Sequence, residues 1–187
     1  MRKLIAAMNM TLDGFCDHTA MNADDEIHQH YNELLSNLDL LIYGRITYQL
    51  MESYWPLVVK NPTGNQPMDE FAVLIDSISK IVYSRTLNNV VWKNTELKRE
   101  VVKEEILALK QSRSLGSKNI GVGSPGLIAY FTQLGLIDEY QLTVHPTILG
   151  SGLQLFRNIT ESVHLKLLKT KTFGCGAVTL YYEPIKK

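Results

Sequence analysis

"KNIGVGSPGLIAYF" (118–131) carries Gly121, Gly123 and Gly126 in the spacing G-x-G-x-x-G, between a short apolar run and a helical apolar pattern. Three readings compete for it: a Rossmann dinucleotide turn, another phosphate-binding turn, or a tight strand-to-helix corner. A Rossmann fingerprint opens its fold and is followed by an acidic residue at the end of the next strand. Here the turn comes late, and the next acids, Asp138 and Glu139, fall before or at the start of the following strand. They are misplaced for a ribose, so the Rossmann reading is set aside. The other two stay open. Glycines at a strand end let backbone approach a ligand, and free N–H groups at a helix start attract phosphate. Pro125 suits that first turn, where no N–H partner is needed.

Working outward, strand and helix periodicities alternate, which marks an α/β architecture. "KLIAAMNM" (3–10) reads as the first strand and "DDEIHQHYNELLSNLD" (24–39) as a helix capped by Asp24 or Asp25. "LLIYG" (40–44) is a buried strand from which Gly44 launches the helix "RITYQLMES" (45–53), and "YWPLVVKNPTGNQP" (54–67) reads as loop. A helix at 68–77, strands at "KIVYS" (80–84) and "NVVW" (89–92), and one amphipathic helix over "TELKREVVKEEILALKQS" (95–112) follow. After the 118–131 unit, the segments at 138–149, 163–173 and 176–184 alternate like strands, with no long helix between them. They predict antiparallel strands at one sheet edge. No repeat or linker divides the chain, so residues 1–187 are expected to form a single domain.

Composition narrows the function. The 187 residues are 45% hydrophobic and 20% charged, enough for one sizeable core. Lys+Arg and Asp+Glu balance at 19 each, which supplies no field for nucleic acid or an acidic membrane. Only Cys16 and Cys175 occur, too few for a disulfide scaffold or zinc ribbon, and no metal site is expected. No targeting or membrane-spanning run is read, so a cytoplasmic protein acting on a small molecule is expected.

Two further stretches repeat the theme of the turn. Gly44, Arg45 and Thr47 begin a helix directly after a strand, and a second helix start beside the first would clamp a pyrophosphate. "KIVYSRTL" (80–87) sets Ser84, Arg85 and Thr86 after another strand, a trio suited to a phosphate monoester such as the 2′-phosphate of NADPH.

The chain resembles the dihydrofolate reductase-like proteins, especially stand-alone relatives of the C-terminal reductase domain of riboflavin biosynthesis enzymes. The resemblance runs through "MTLDGF" (10–15), "LDLLIYGRITYQ" (38–49), "KIVYSRTL" and "IGVGSPGLIAYFTQLGLIDEYQLTVHPTILGSGLQLF" (120–156). It implies a three-layer αβα fold around a mostly parallel, twisted sheet of about eight strands, and a homodimer formed through the C-terminal strands. It also implies NADPH as cofactor. Gly44, Arg45 and Thr47 would meet its pyrophosphate and Ser84 and Arg85 its 2′-phosphate, while Gly121, Gly123, Ser124, Gly126 and Leu127 would line the central turn.

The resemblance implies hydride transfer to a small heterocyclic or ribosylaminopyrimidine-type substrate, with dihydrofolate reduction and non-catalytic nucleotide binding as alternatives. "TLDG" (11–14) would place Asp13 at the substrate end, although Asp-Gly is also ordinary turn chemistry. Counting back from Gly44, the acidic position of dihydrofolate reductases falls on His28, a departure that weighs against dihydrofolate reduction. Thr143 lies on the strand that passes the cleft, where it is equally a good strand former. His145 before Pro146 reads as a strand terminus, Trp55 as a substrate cover or a packed anchor, and the charges of 95–112 as a solvated helix face.

Overall fold

The computed structural model describes residues 1–21, 23–112 and 118–185. Chain order is β1 (Leu4–Thr11), α1 (Asp25–Ser36), β2 (Leu38–Gly44), α2 (Arg45–Glu52), α3 (Trp55–Lys60), α4 (Gln66–Ser77), β3 (Ser79–Tyr83), β4 (Thr95–Lys98), α5 (Lys103–Gln111), β5 (Asn119–Val122), α6 (Pro125–Gln133), β6 (Glu139–His145), β7 (Leu165–Thr172) and β8 (Val178–Pro184). The strands form one sheet in the order β4-β3-β2-β5-β1-β6-β8-β7. Pairings from β4 through β6 are parallel, and β8 pairs antiparallel with both β6 and β7. This is the expected dihydrofolate reductase-like, three-layer αβα sheet with antiparallel C-terminal strands.

Central strands bury both faces, as parallel sheets between helices do. On one face Leu4, Ala6, Ile42, Ile120 and Val122 pack with Ile106 of α5 and with Ile128 and Phe131 of α6. On the other, Ile5, Leu41 and Val82 pack with Leu34 and Leu35 of α1 and with Phe71 and Ile75 of α4. Asp24 is the α1 cap, its carboxylate accepting the Ile27 N–H at 2.9 Å.

Three sequence expectations are corrected. Residues 89–92 are not a strand: the Val91 and Trp92 amides donate to Tyr48 Oη at 3.0 and 3.1 Å, so a side chain replaces a ladder. The span 95–112 is not one helix. Its first four residues are β4, parallel to β3, and a break at 99–102 precedes α5. Residues 55–60, expected as loop, form α3 with Pro56 in the first turn, a position proline tolerates.

Candidate functional site

Parallel strands deliver their C-terminal ends to one rim, where ligands bind in open α/β sheets. There β2 and β5 lie side by side and each feeds a helix directly, α2 after Gly44 and α6 after Ser124. Ser124 is the cap residue of α6, yet its side chain makes no cap bond to its own helix. Its Oγ instead accepts the Gly44 N–H at 2.9 Å, tying the two helix starts together across 80 residues. At α6, Pro125 has no N–H and the Ile128 N–H is taken by the Ser124 carbonyl, so the Gly126 and Leu127 amides lack intrahelical partners. Helix geometry leaves the first amides of α2 equally open.

The three glycines of the turn do different jobs. Gly121 lies inside β5, where a Cβ would fall 2.6 Å from Leu38 Cδ1 and 2.9 Å from Leu41 Cδ2. Packing demands that glycine, and the structure does not bring it to the rim as the sequence reading expects. Gly123 is different: its Cβ would meet only Tyr43 Cε1 at 3.5 Å and the Ala7 carbonyl at 3.8 Å, ordinary contacts. A Cβ on Gly126 would meet nothing within 4 Å. Neither of these two has a positive φ, so neither backbone nor packing requires glycine there. Leu127 closes the cradle, its Cγ lying 3.9 Å from where a Gly44 Cβ would stand.

Arg45 is exposed in the first turn of α2 and donates to Gln49 Oε1 at 3.2 Å, while Thr47 is half-buried on the same turn. Beyond β3, a groove of about 420 Å³ is lined by Tyr83, Ser84, Arg85, Arg99, Glu100, Val101 and Tyr130. Ser84 is buried and its Oγ accepts the Thr86 and Leu87 amides at 3.2 and 2.9 Å, which makes it the organiser of the turn. Arg85 projects from that turn, exposed. Arg99, which the sequence reading dismisses as helix surface, donates from Nη1 to the Ser84 and Leu87 carbonyls at 3.3 and 2.5 Å. Its signal was lost with β4, because only the true strand boundary places it at the rim.

The residues expected on the substrate side are placed differently from one another. Asp13 is exposed, and its carboxylate accepts from Thr11 Oγ1 at 2.6 Å, from the Leu149 amide at 3.1 Å and from the Gly150 amide at 2.7 Å. These bonds, led by that of Thr11, hold its pKa down to about 2. Asp13 is therefore an ionised latch between these two loops. His28 leans on Phe71, with Nδ1 3.0 Å from the Asp24 carbonyl. Tyr31, one turn further along α1, faces the Thr143 side chain, and burial raises its phenol so that it stays protonated. Thr143 is fully buried, its hydroxyl 2.7 Å from that of Thr179. His145 ends β6 as expected, with Nε2 3.1 Å from Asn9 Oδ1 and burial holding the ring neutral. Trp55 packs on Phe71 at 4.5 Å between ring centroids. Burial pushes the Cys16 thiol up to about 12. Among the described residues, no group of three or more His, Cys, Asp or Glu could hold a metal, and no helix is long and apolar enough to cross a membrane.

Comparison with known proteins agrees with this fold. The RibD C-terminal domain model matches residues 2–179. Two Bacillus subtilis (strain 168) proteins, both uncharacterized, are similar along the chain. YyaP is 32% identical over 97% of this chain and 95% of its own, and YwjB is 29% identical over 97% of each. Among solved structures, a Shewanella sp. PV-4 protein described as a riboflavin biosynthesis protein superposes with a TM-score of 0.74 at 19% identity, covering 98% and 99% of the two chains. Acinetobacter baumannii RibD gives 0.70 at 15% identity over 99% of this chain and 58% of its own. Enterococcus faecalis dihydrofolate reductase, complexed with NADP(H), gives 0.62 at 14% identity over 98% and 97%.

Proposed function

The chain belongs to the RibD C-terminal domain family, and from that premise we propose that it is a cytoplasmic, NADPH-dependent reductase that delivers a hydride to a small heterocyclic substrate of the ribosylaminopyrimidine type. One observation carries the reading: the Gly44 N–H bond to Ser124 Oγ, which sets two helix starts side by side on the rim. Two such termini offer several unpaired amides to one dianionic group. The fit is supported by Gly126, where a Cβ would meet nothing within 4 Å, and by Gly123, where neither packing nor backbone requires glycine. Arg85 would meet the 2′-phosphate, and Arg45 and Thr47 the pyrophosphate.

When bound, a reduced nicotinamide supplies the hydride. The chain's own contribution is orientation in a site that needs neither metal nor nucleophile. Tyr31 keeps a neutral hydroxyl against Thr143, and His145 a neutral imidazole held by Asn9.

A second reading, a nicotinamide-nucleotide-binding protein without turnover, is favoured by the state of the expected substrate residues: Asp13 is spent on amides and Thr143 on Thr179. Titration of the protein with NADPH and NADH, followed by nicotinamide fluorescence, tests the cofactor. Clear NADPH preference supports the reading, and binding of neither nucleotide refutes it. Turnover on ribosylaminopyrimidine phosphates or dihydropterins then separates enzyme from binder.

We also infer pairing of two copies through β7. It is the sheet's outer strand and leaves Leu167 and Leu168 half-exposed. Light scattering that gives the mass of a single chain at micromolar concentration would refute this pairing.

A further inference from the structure

The groove beyond β3 holds a residue whose position no single motif announces. Arg99 leaves β4 at the end of the strand paired with β3, and its guanidinium reaches back over the neighbouring turn. Nη1 bonds to both the Ser84 and Leu87 carbonyls, the two ends of the turn that presents Arg85. Inside that turn, Ser84 Oγ already accepts the Thr86 and Leu87 amides. The hydroxyl can still donate, but its place depends on the turn keeping its shape. Two carbonyl dipoles that would oppose an anion are thereby masked by a cation. Arg85 and Arg99 together outweigh Glu100, the one acid among the described residues of the groove wall.

We propose that Arg99 sets the preference for a 2′-phosphorylated dinucleotide, as a positioning residue that clamps the 84–87 turn and adds the groove's second positive charge. This rests on the nicotinamide-nucleotide reading above. Its contribution differs in kind from that of Arg85: Arg85 meets the phosphate directly, whereas Arg99 holds the surface that meets it. A rigid, planar guanidinium can hold two carbonyls in one fixed geometry, which a lysine ammonium on a flexible stem does not do equally.

The test is fluorescence titration of the full chain and of Arg99→Ala, Arg99→Lys and Arg85→Ala with NADPH, NADH and 2′,5′-ADP as competitor. Thermal melts confirm folding, which the exposure of Arg99 favours. Arg99→Ala is expected to weaken NADPH and 2′,5′-ADP roughly 10-fold to 100-fold and NADH less than about 2-fold, with a shallower salt dependence. Arg99→Lys restores the salt dependence but less than half of the lost affinity on a logarithmic scale. Wild-type NADPH preference that survives Arg99→Ala overturns the inference and leaves the cofactor reading standing, as does an equal loss for NADPH and NADH. Wild-type protein that binds no nucleotide overturns the cofactor reading itself. Should Arg99→Ala not fold, Arg99→Lys decides: full retention of NADPH affinity overturns the clamp.

Discussion

The Asp13 carboxylate accepts the Gly150 amide at 2.7 Å, joining the exit of β1 to the exit of β6. "TLDG" (11–14) and "PTILGSG" (146–152), which read as two motifs in sequence, are therefore one latch. The Leu12 amide donates to the Thr147 carbonyl, and Phe15 bridges to Gln154 alongside. Asp13 titrates near 2 in the fold, below the ordinary 3.8. A depressed carboxylate stabilises the fold above its unfolded pKa and loses that contribution as pH falls through the folded value. The wild type should thus lose more Tm between pH 4 and pH 2 than Asp13→Asn, and Asp13→Ala should speed hydrogen exchange at Leu149 and Gly150. Parallel pH profiles for wild type and Asp13→Asn would remove the latch.

Ser124→Ala is expected to separate the paired helix starts. The serine is buried, and its loss leaves the half-buried Gly44 N–H without its acceptor. An unmet buried donor costs about 1–3 kcal/mol. Because Ser124 makes no distinction at the 2′ position, NADPH and NADH should weaken together. Denaturant melts paired with both titrations check this, and a loss confined to NADPH would contradict the shared seat.

The G-x-G-x-x-G spacing invites a contrast within one motif. Gly121→Ala places a Cβ inside Leu38 and Leu41 and should destabilise by about 1–3 kcal/mol through overpacking. Gly126→Ala meets open space and should stabilise α6 by up to about 1 kcal/mol. Its nucleotide affinity should nonetheless fall, as should that of Gly123→Ala, which the fold accommodates. Stability and affinity would then move in opposite directions at Gly126, an outcome that a ligand-free corner does not produce.

That contrast also marks how far the sequence could be read. Buried strands such as "LLIYG" and the late Gly turn were legible because apolar runs and glycine have few alternatives in a parallel sheet. The motif could not say which glycine serves packing, since Leu38 and Leu41 reach Gly121 only through the pairing of β2 with β5. β4 was hidden because "TELK" is a short polar strand on the sheet's edge, continuous in pattern with the helix after it. Arg99 went with it. Asp13 and Thr143 carried the right residue types for chemistry, but their partners, Gly150 and Thr179, come from loops and registers that no local pattern specifies.

Thr143→Val and Thr179→Val should couple. The two hydroxyls are fully buried 2.7 Å apart, so each single change strands the other and costs about 1–3 kcal/mol. The double variant removes both polar groups at nearly unchanged shape and should cost less than the sum of the singles, with a coupling of about 0.5–3 kcal/mol. Urea melts of the four proteins measure it. Additive losses would mean that Thr143 bonds chiefly to another group, with Tyr31 the first to test.

Arg85→Ala addresses the phosphate contact itself. Arg85 is exposed on the turn that Ser84 organises, and among the described residues its side chain forms no hydrogen bond or ion pair. A hydrogen bond to a charged group is worth about 1.5–3 kcal/mol, or roughly 10-fold to 150-fold in affinity. Solvent exposure and salt move the expectation toward the lower figure. NADH has no 2′-phosphate, so its affinity should hold while that of NADPH falls, and raising the salt should narrow the gap in the wild type but not in the variant. Comparing the two cofactors cancels any general disturbance of the groove. Equal losses for both would assign Arg85 to the dinucleotide as a whole and take the 2′-phosphate out of the argument.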